Sequence, residues 1–475
     1  MAETESPGTS TDDADESLSD DRSGNGLSSR KRLFYVTLEG AFANVFIVLT
    51  GGAFLTGLAL YLGANDLEIG LLGAIPFLAQ TAQLLSAYLV DRTGRRKSTT
   101  IWFMVVGRQV WWIVIPLLLL LTGSWQLPAF LAIFVFSSLA LMIATPSWLA
   151  WMADIVPPKI RGRFFGQRNS AVAITTVAST ILGGILLDRF RNIHREDIGF
   201  AILIGAACLF AMAAVLLMDR IPDRPSSSGR GTLTRAHFLE PLRDPGFRRL
   251  LQIFALWNLA IGTAAPFFAA HMLSNLRMSF TMIALYSSLH SIVAISFNRP
   301  WGSLIDRFGS RPVIVMCASS ISFIPLIWWI PRQDLLWILA FEGIYSGFLW
   351  AGFNLAAFNV PIANSPKRNR TIYLAIFSVV TGIAFFAASL MGGWLAERWS
   401  DIHWQLGPQT VVNYHLLFAI SSGLRLLSAL LFLSFHEPKE KGIPIMIQFV
   451  GSAVLKRMSG GRQIFPGWLR SAKNE

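Results

Sequence analysis

Long apolar segments follow one another along almost the whole chain, and short polar connections separate them. Twelve of these segments come close to the roughly 20 residues that a helix needs to cross about 30 Å of hydrocarbon. The first six run over 34–62, 67–90, 99–121, 126–154, 165–188 and 198–218. The second six run over 248–272, 279–304, 312–331, 335–361, 371–397 and 410–435. The pattern predicts an all-α integral membrane protein with twelve transmembrane helices.

The composition supports this interpretation. Of the 475 residues, 53% are hydrophobic and only 14% are charged, and the mean hydropathy is +0.51. An ordinary soluble domain has about 25% charged residues. The composition therefore excludes a water-soluble globular protein.

The basic residues are distributed very unevenly between alternate connections. One side of the predicted membrane collects 31 of the 40 Lys and Arg residues, and the other side has six. Because cytoplasmic loops retain positive charge, both termini and the connection between the sixth and seventh segments are predicted to be cytoplasmic. Three arginines between the fifth and sixth segments oppose this rule, and Asp188, Glu196 and Asp197 beside them offset their charge.

The net charge of +12 has the same explanation. The basic residues form short clusters between apolar segments, without a basic stripe or an aromatic stacking platform, so we expect membrane lipid as a partner and no nucleic acid.

Polar stretches divide the chain into five regions. Residues 1–30 contain eight acidic side chains and almost no large apolar ones, so they are predicted to be a disordered acidic tail. Residues 31–218 and 248–436 form two six-helix halves, joined by a cytoplasmic linker at 219–247 that is rich in Pro, Ser, Gly and Arg. Residues 437–475 form a basic tail, in which 443–458 suits either an interfacial helix or plain tail.

Two short motifs occur once in each half. The pattern D-R-x-G-x-R follows the second segment at Asp91 and the eighth segment at Asp306, 215 positions later. The second motif is a glycine pair followed by an acidic residue and arginine. It closes the fifth segment at Asp188 and the eleventh at Glu397, 209 positions later. Two motifs at nearly one offset indicate a six-helix unit repeated in parallel, which is a transporter architecture.

Because of these two motifs, residues 31–436 resemble the major facilitator superfamily, whose signature after the second helix is G-x-x-x-D-R-x-G-R-R. The first copy departs from it at Ala87, where the family usually has glycine, whereas Gly302 keeps that glycine in the second copy. The resemblance implies two six-helix pseudo-repeats and a bacterial permease that works as a symporter or antiporter. It also implies that segments one, four, seven and ten line a central cavity.

The first motif has a physical interpretation at helix ends. Asp91 ends a descending helix at the cytoplasmic face, where ascending helices such as the one starting near Thr371 expose amides and the positive end of a dipole. Such a contact would latch the halves together, and in the resembled family this loop stabilises the state open to the outside. Asp306 is expected to pair likewise with the start of the fifth segment. Retention of positive charge on the inside is the alternative explanation, favoured for Arg96 and Lys97. The latch candidates are Asp91, Arg92, Gly94, Arg95, Asp306, Arg307, Gly309, Arg311, Arg161 and Arg168.

Ionisable groups inside membrane helices are costly and are functional candidates by default. Glu39 and Arg108 fall at similar depths, so an ion pair between them competes with proton or solute binding by Glu39. Glu342 has no obvious basic partner at its depth, which suits a proton carrier, whereas Arg299 and Arg425 are expected to pair or snorkel. The candidates for solute or proton binding are Glu39, Asn44, Trp148, Trp151, Asp154, Asn258, Glu342, Asn354 and Asn359.

The sequence predicts no metal site and no cofactor. His271 and His290 have no neighbouring Cys, Asp or Glu cluster, and Cys208 and Cys317 lie inside apolar segments, where packing is their expected role. The chain has no G-x-x-x-x-G-K-[ST] motif, so ATP hydrolysis is not supported.

These observations predict a secondary transporter of a small organic solute, which rocks between two states, is driven by protons, and acts as a monomer. A transport-fold sensor that signals through its tails is one alternative. A polytopic membrane enzyme is another, although the connections are short and lack a clustered acid/base set, so we expect no enzymatic activity.

Overall fold

A computed structural model describes residues 29–83, 85–86, 89, 96–121, 123–156, 160–221, 235–366, 369–434, 442, 444–446 and 448–449. The predicted acidic tail up to residue 28 and the first five residues of the first D-R-x-G-x-R motif, 91–95, lie outside these residues. We call the face that carries the central linker the inner face and the opposite face the outer face.

The described N-terminal half contains six helical segments, which we call spans. They are span 1 (Ser29–Leu49 and Gly52–Tyr61), span 2 (Asp66–Ala79), span 3 (Arg96–Gln109 and Val114–Leu119), span 4 (Gln126–Ile155), span 5 (Arg161–Asn192) and span 6 (Glu196–Asp219). Single 3-10 turns at Gln80–Ala82 and Val110–Ile113 continue spans 2 and 3.

Six spans also make up the described C-terminal half. They are span 7 (Pro245–Gly262 and Ala265–Ser274), span 8 (Phe280–Phe308), span 9 (Ser310–Ile321 and Ile324–Ile327), span 10 (Ile338–Ala363), span 11 (Arg370–Arg398) and span 12 (Asn413–Phe432).

The predicted all-α membrane architecture is confirmed. Among the described residues, ten helices are long and apolar enough to cross a membrane. The other two predicted crossings are span 2, whose α-helix is 14 residues long before its 3-10 turn, and span 10, which has 26 residues. The polar side chains of Glu342, Asn354 and Asn359 lower the hydropathy of span 10.

The first helix of each half is interrupted at an equivalent position. Span 1 breaks at Thr50 and Gly51, where Gly52 follows with a φ of +52°. Span 7 breaks at Thr263 and Ala264, just before Pro266. These breaks lie 213 positions apart, within the range of the two motif offsets, so the duplication is visible in the backbone as well as in the sequence.

Small side chains let the helices of each half pack closely, as membrane helices require. Ala207, Ala211 and Ala214 form a fully buried stripe on span 6, which packs against span 1. Cys208 and Cys317 are both free and buried, which confirms their predicted packing role.

Two elements were not predicted. The linker contains a helix at Arg235–Arg243, anchored to span 11 where the Asn369 amide donates to Glu240 at 2.7 Å. A β-hairpin, His403–Leu406 with Gln409–Val412, joins spans 11 and 12. Both elements are short and partly polar, so the hydropathy of the chain does not distinguish them from loops.

The segment predicted at 443–458 is partly described. Residues 444–446 and 448–449 are helical, and the Arg307 guanidinium lies 4.5 Å from the ring centre of Phe449. This contact places the start of the tail against the inner end of span 8, which favours the helical interpretation for these residues.

Candidate functional site

Glu39 is the most deeply buried carboxylate among the described side chains of the N-terminal half. It lies ten residues into span 1, about 15 Å along the helix axis from Ser29. Its side chain is only 3% exposed, and one carboxylate oxygen lies 3.7 Å from an Nη atom of Arg168. Glu39 therefore faces span 5 with its charge inside the membrane.

Arg168 reaches this carboxylate because a glycine makes room for it. A Cβ atom at Gly40 would lie 2.5 Å from Nη2 of Arg168, so the guanidinium rests on the bare backbone of span 1. On its other side, the guanidinium carbon lies 4.9 Å from the ring centre of Trp148 on span 4, a distance typical of a cation–π contact. The Arg168 side chain keeps 15% exposure and is the most accessible charged group here.

Arg108 adds a second positive charge from span 3. It is 4% exposed and close enough to Glu39 to interact electrostatically. Glu39 thus faces two arginines, and we call Glu39, Arg108, Trp148 and Arg168 the inner cluster.

Several atoms of the inner cluster have no hydrogen-bond partner among the described residues. They are Oε2 of Glu39, Nε and Nη1 of Arg108, Nε1 of Trp148 and Nε of Arg168. Unsatisfied polar groups are costly in a low dielectric, and these atoms distinguish the cluster from a fully bonded salt bridge.

The C-terminal half contains a different ionic group near the outer face. The Tyr286 hydroxyl donates to Glu342 at 2.5 Å, and Arg425 on span 12 is close enough to interact with the same carboxylate. Glu342 and Arg425 are 1% and 2% exposed. The expectation that Glu342 lacks a basic partner is therefore wrong, because span 12 brings Arg425 to it from far along the chain.

Two of the predicted asparagines bond to helix groups. The Asn44 amide donates to Thr176 at 2.7 Å and to the Val172 carbonyl at 3.2 Å, which ties span 1 to span 5. The Asn258 amide donates at 2.8 Å to the Phe254 carbonyl of its own helix.

The remaining predicted residues are not brought into one place. Trp151 is buried, Asn354 is exposed and Asn359 is half-buried. The side chains of Asp154 and Arg161 lie outside the described residues.

The second D-R-x-G-x-R motif closes its own half. Arg311 donates to the Phe432 carbonyl at 3.4 Å and also to the Leu433 carbonyl, and so caps the inner end of span 12. Gly309, with a φ of +93°, makes the reversal between spans 8 and 9. Asp306 is exposed, and its pairing with span 5 stays a prediction. The first-copy candidates Asp91, Arg92, Gly94 and Arg95 lie outside the described residues.

The halves meet at the outer face through two equivalent contacts. Asp188, at the end of span 5, accepts hydrogen bonds of 2.8 Å each from the backbone amides of Phe280 and Thr281, which begin span 8. Glu397, at the end of span 11, accepts one of 3.0 Å from the amide of Asp66, which begins span 2. Each carboxylate thus lies at the positive end of a helix of the opposite half.

Glycines allow this approach. A Cβ at Gly184 would lie 2.9 Å from the Phe280 carbonyl oxygen, and one at Gly393 would lie 2.9 Å from that of Asp66. We call these two contacts, with their glycines, the outer clasps. Asp188 was expected only to offset nearby arginines; the recurrence of glycines and an acid at equivalent positions was the signal for its interhelical role.

Further bonds strengthen the clasp between spans 2 and 11. The Asp66 carboxylate accepts from the Tyr414 hydroxyl and, at 2.7 Å, from the Asn413 amide. The Ser389 hydroxyl donates to the Gly70 carbonyl at 2.6 Å. The outer face is thus closed by contacts between the halves.

A duplicated six-helix bundle, with ionic groups inside the membrane and halves joined at one face, defines a multi-pass membrane transporter. The sequence model of the Major Facilitator Superfamily matches residues 40–268 and 254–469. The chain belongs to this superfamily, which confirms the resemblance drawn from the motifs.

A curated relative has the same character. The chain is 22% identical over 375 residues to an uncharacterised MFS-type transporter of Methanocaldococcus jannaschii, covering 76% of this chain and 89% of the relative.

Solved structures share the fold at low identity. A mutant of the nucleoside transporter NupG matches with a TM-score of 0.65 at 14% identity, covering 85% of this chain and all of that one. A bacterial homologue of the iron transporter ferroportin matches at 0.63 in its inward-facing state and at 0.52 in its outward-facing state. The identities are 15% and 16%, and each match covers 86% of this chain and 98% of the other.

Proposed function

We propose that the protein moves a small organic solute across the membrane by alternating access, in which the two halves rock about a site between them. The outer clasps carry this proposal, because they join the halves by a few hydrogen bonds between helix ends. Such contacts can break without disturbing the packing within either half. In this proposal, the inner cluster binds the solute while the outer face is closed.

Glu39 is the proton carrier in this proposal. Its carboxylate lies 3.7 Å from Arg168, so protonation removes the negative charge that attracts Arg168 and releases the guanidinium. Glu342, by contrast, is bonded to Tyr286 and interacts electrostatically with Arg425, an arrangement that stabilises the C-terminal half.

The test is transport by the full chain in liposomes that contain a pH-sensitive dye. Sugars, amino acids, peptides, nucleosides, organic anions and cationic drugs are added one by one, with membrane currents and radiolabel exchange recorded in parallel. We expect Glu39→Gln to abolish solute-driven proton movement, since glutamine cannot bind the proton.

Two controls make this result specific. Glu342→Gln should keep solute-driven proton movement, because Glu342 is bonded to Tyr286 in the C-terminal half. Glu196→Gln should keep it as well, because Glu196 lies at the outer face and pairs with Arg191. Unchanged proton movement in Glu39→Gln would rule out Glu39 as the carrier. Wild-type protein that exchanges none of these solutes would count against transport and favour a sensor.

The same proposal places the protein in a bacterial inner membrane as a monomer with both termini in the cytoplasm. Reporter fusions after residue 434 and within the hairpin at 407 and 408 test this orientation. A cytoplasm-active reporter should work only in the first fusion, and the opposite pattern would overturn the orientation.

A further inference from the structure

The charges of the inner cluster do not balance. Glu39 contributes one negative charge, and Arg108 and Arg168 contribute two positive ones, all from side chains that are at most 15% exposed. Spans 4, 5 and 6 also pack around this region, and their described side chains here include Trp148 and Cys208 but no second carboxylate. A desolvated site with one excess positive charge favours an added anion.

The hydrogen-bonding atoms are also unbalanced, because donors without a partner outnumber acceptors without one. Of the five buried atoms without a partner in the described part of the cluster, four are N–H donors and one is an acceptor, Oε2 of Glu39. A ligand that satisfies these donors must bring acceptor atoms. Carboxylate and phosphate groups do so, and the planar fork of an arginine matches both.

We propose that the inner cluster binds the anionic group, a carboxylate or a phosphate, of the transported solute, with Arg168 as its direct contact. This inference rests on the proposed function and names the solute class. Arg168 is the accessible member, held against the Trp148 ring and the Gly40 backbone, while Arg108 is buried and adds positive potential at Glu39.

The same geometry couples the anion to a proton. Glu39 and the anion compete for Arg168, so a proton on Glu39 favours anion binding, and by linkage a bound anion favours the proton. The charged groups that face Glu39 among the described residues are Arg108 on span 3 and Arg168 on span 5. A monovalent anion that enters with one proton moves no net charge, so it is detected by the dye and not as a current.

The C-terminal ionic group does not share this property. There, Glu342 and Arg425 are present one to one, and Tyr286 satisfies the carboxylate. The excess of positive charge and donors is specific to the inner cluster.

The test is thermal unfolding of the purified full chain in detergent with matched ligands. Acetate, lactate, succinate, glycerol 3-phosphate and inorganic phosphate are compared with acetamide, lactamide, succinamide, glycerol and choline. We expect at least one anion to stabilise the protein, more strongly at pH 6 than at pH 8, and the neutral and cationic compounds not to.

Variants locate the effect. Arg168→Gln should weaken anion binding about tenfold or more, since it removes a charge-assisted bond, while Arg168→Lys should retain part of it. Glu39→Gln should keep binding and lose its pH dependence. Arg299→Gln, which removes an exposed arginine from span 8, should change neither.

Two results would overturn the inference: no stabilisation by any of the anions, or equal stabilisation of wild type and Arg168→Gln. Transport of a neutral or cationic solute in liposomes would refute the inference that the solute is an anion, and it would still support the proposed transport function. Anion binding without any transport would refute the proposed function alone. Carboxylates and phosphates are separate arms of the panel and distinguish the two anion classes.

Discussion

At the scale of single residues, the inner cluster depends on a missing side chain. Gly40 provides the surface on which the Arg168 guanidinium lies, and a methyl group there would come within 2.5 Å of Nη2. Since the obstructed group is the far end of a long side chain, it can move aside at little cost in folding free energy. A side chain added at Gly40 would therefore displace Arg168 without disturbing the fold.

We therefore expect Gly40→Ala to raise the solute KM several-fold and to leave the unfolding temperature nearly unchanged. Initial transport rates and thermal unfolding of the same preparation check both parts. Gly423→Ala on span 12 is the matched control, because a Cβ there would meet no atom within 4 Å. A KM equal to that of wild type in Gly40→Ala would contradict the proposed role of Arg168.

Asn44 leads to the opposite expectation. Its amide is occupied by Thr176 and Val172 of span 5, so Asn44→Ala should destabilise the N-terminal half by about 1 kcal/mol, a typical cost for an interhelical hydrogen bond in a membrane. Thermal unfolding measures this loss. Thr180→Val, which removes a bond within span 5 only, serves as the control and should cost less. A large loss of solute affinity at unchanged stability would instead make Asn44 a solute ligand.

At the scale of helices, the two outer clasps use the same elements twice. In each, a carboxylate at the end of one span accepts from the first amides of a span in the other half, and a glycine beside it lets the backbones approach. A helix N-terminus with a nearby carboxylate gains about 0.3 to 1 kcal/mol, so a pair of such contacts can bias two states of similar free energy.

Weakening the clasps should therefore open the outer face. We expect Asp188→Asn to shift the protein toward outward-open states, and Asp188→Asn with Glu397→Gln to shift it further, because each change removes the charge that faces a helix dipole. Spin labels on cysteines at Asn192, the last residue of span 5, and at Asp401, in the turn after span 11, report the distance between the outer ends of the two halves by pulsed electron resonance.

Glu196→Gln is the control for this experiment, because its partner Arg191 lies in the same half. The distance distribution of this variant should match that of wild type. If Asp188→Asn gave the wild-type distribution as well, the clasps would not influence the conformational equilibrium.

At the scale of the whole molecule, the duplication organises the transporter. Span 1 and span 7 break at equivalent positions, and spans 5 and 11 carry equivalent clasps. The inner ends of spans 6 and 12 are each bound by a basic residue at the end of a D-R-x-G-x-R motif or directly after it. Lys97 binds the Asp219 carbonyl in the first half, as Arg311 binds the Phe432 carbonyl in the second. The buried ionic groups, in contrast, are not duplicated. Among the described residues, the inner cluster of the N-terminal half has two arginines for one carboxylate, whereas the C-terminal group has one arginine for one carboxylate.

All the contacts that carry the proposed mechanism lie between residues 29 and 434. Deletion of residues 1–28 should therefore leave the initial rate of solute uptake unchanged once it is normalised to the amount of protein in the liposomes. A complete loss of activity at normal protein levels would favour a signalling role for the tail.

The sequence by itself determined the membrane architecture, the two halves and the family. Hydropathy and helix length are properties of local segments, and the D-R-x-G-x-R and glycine–acid motifs recur at a fixed offset that is readable without any structure. The same hydropathy pattern placed Glu39, Glu342 and the arginines inside spans. Burying a charge in a membrane is costly in free energy, which marks these residues as functional candidates.

Only the tertiary structure decided which of these groups meet. Arg168 was grouped with the inner loops and lies beside Glu39. Glu342 was expected without a basic partner and interacts electrostatically with Arg425, and Asp188 bonds across the halves to span 8. These partners come from helices that are distant in sequence, and their contacts depend on helix rotation and on the glycines that permit close approach. The hydrophobic pattern of one helix does not contain that information, because it fixes how deep a side chain lies and not which neighbour it faces.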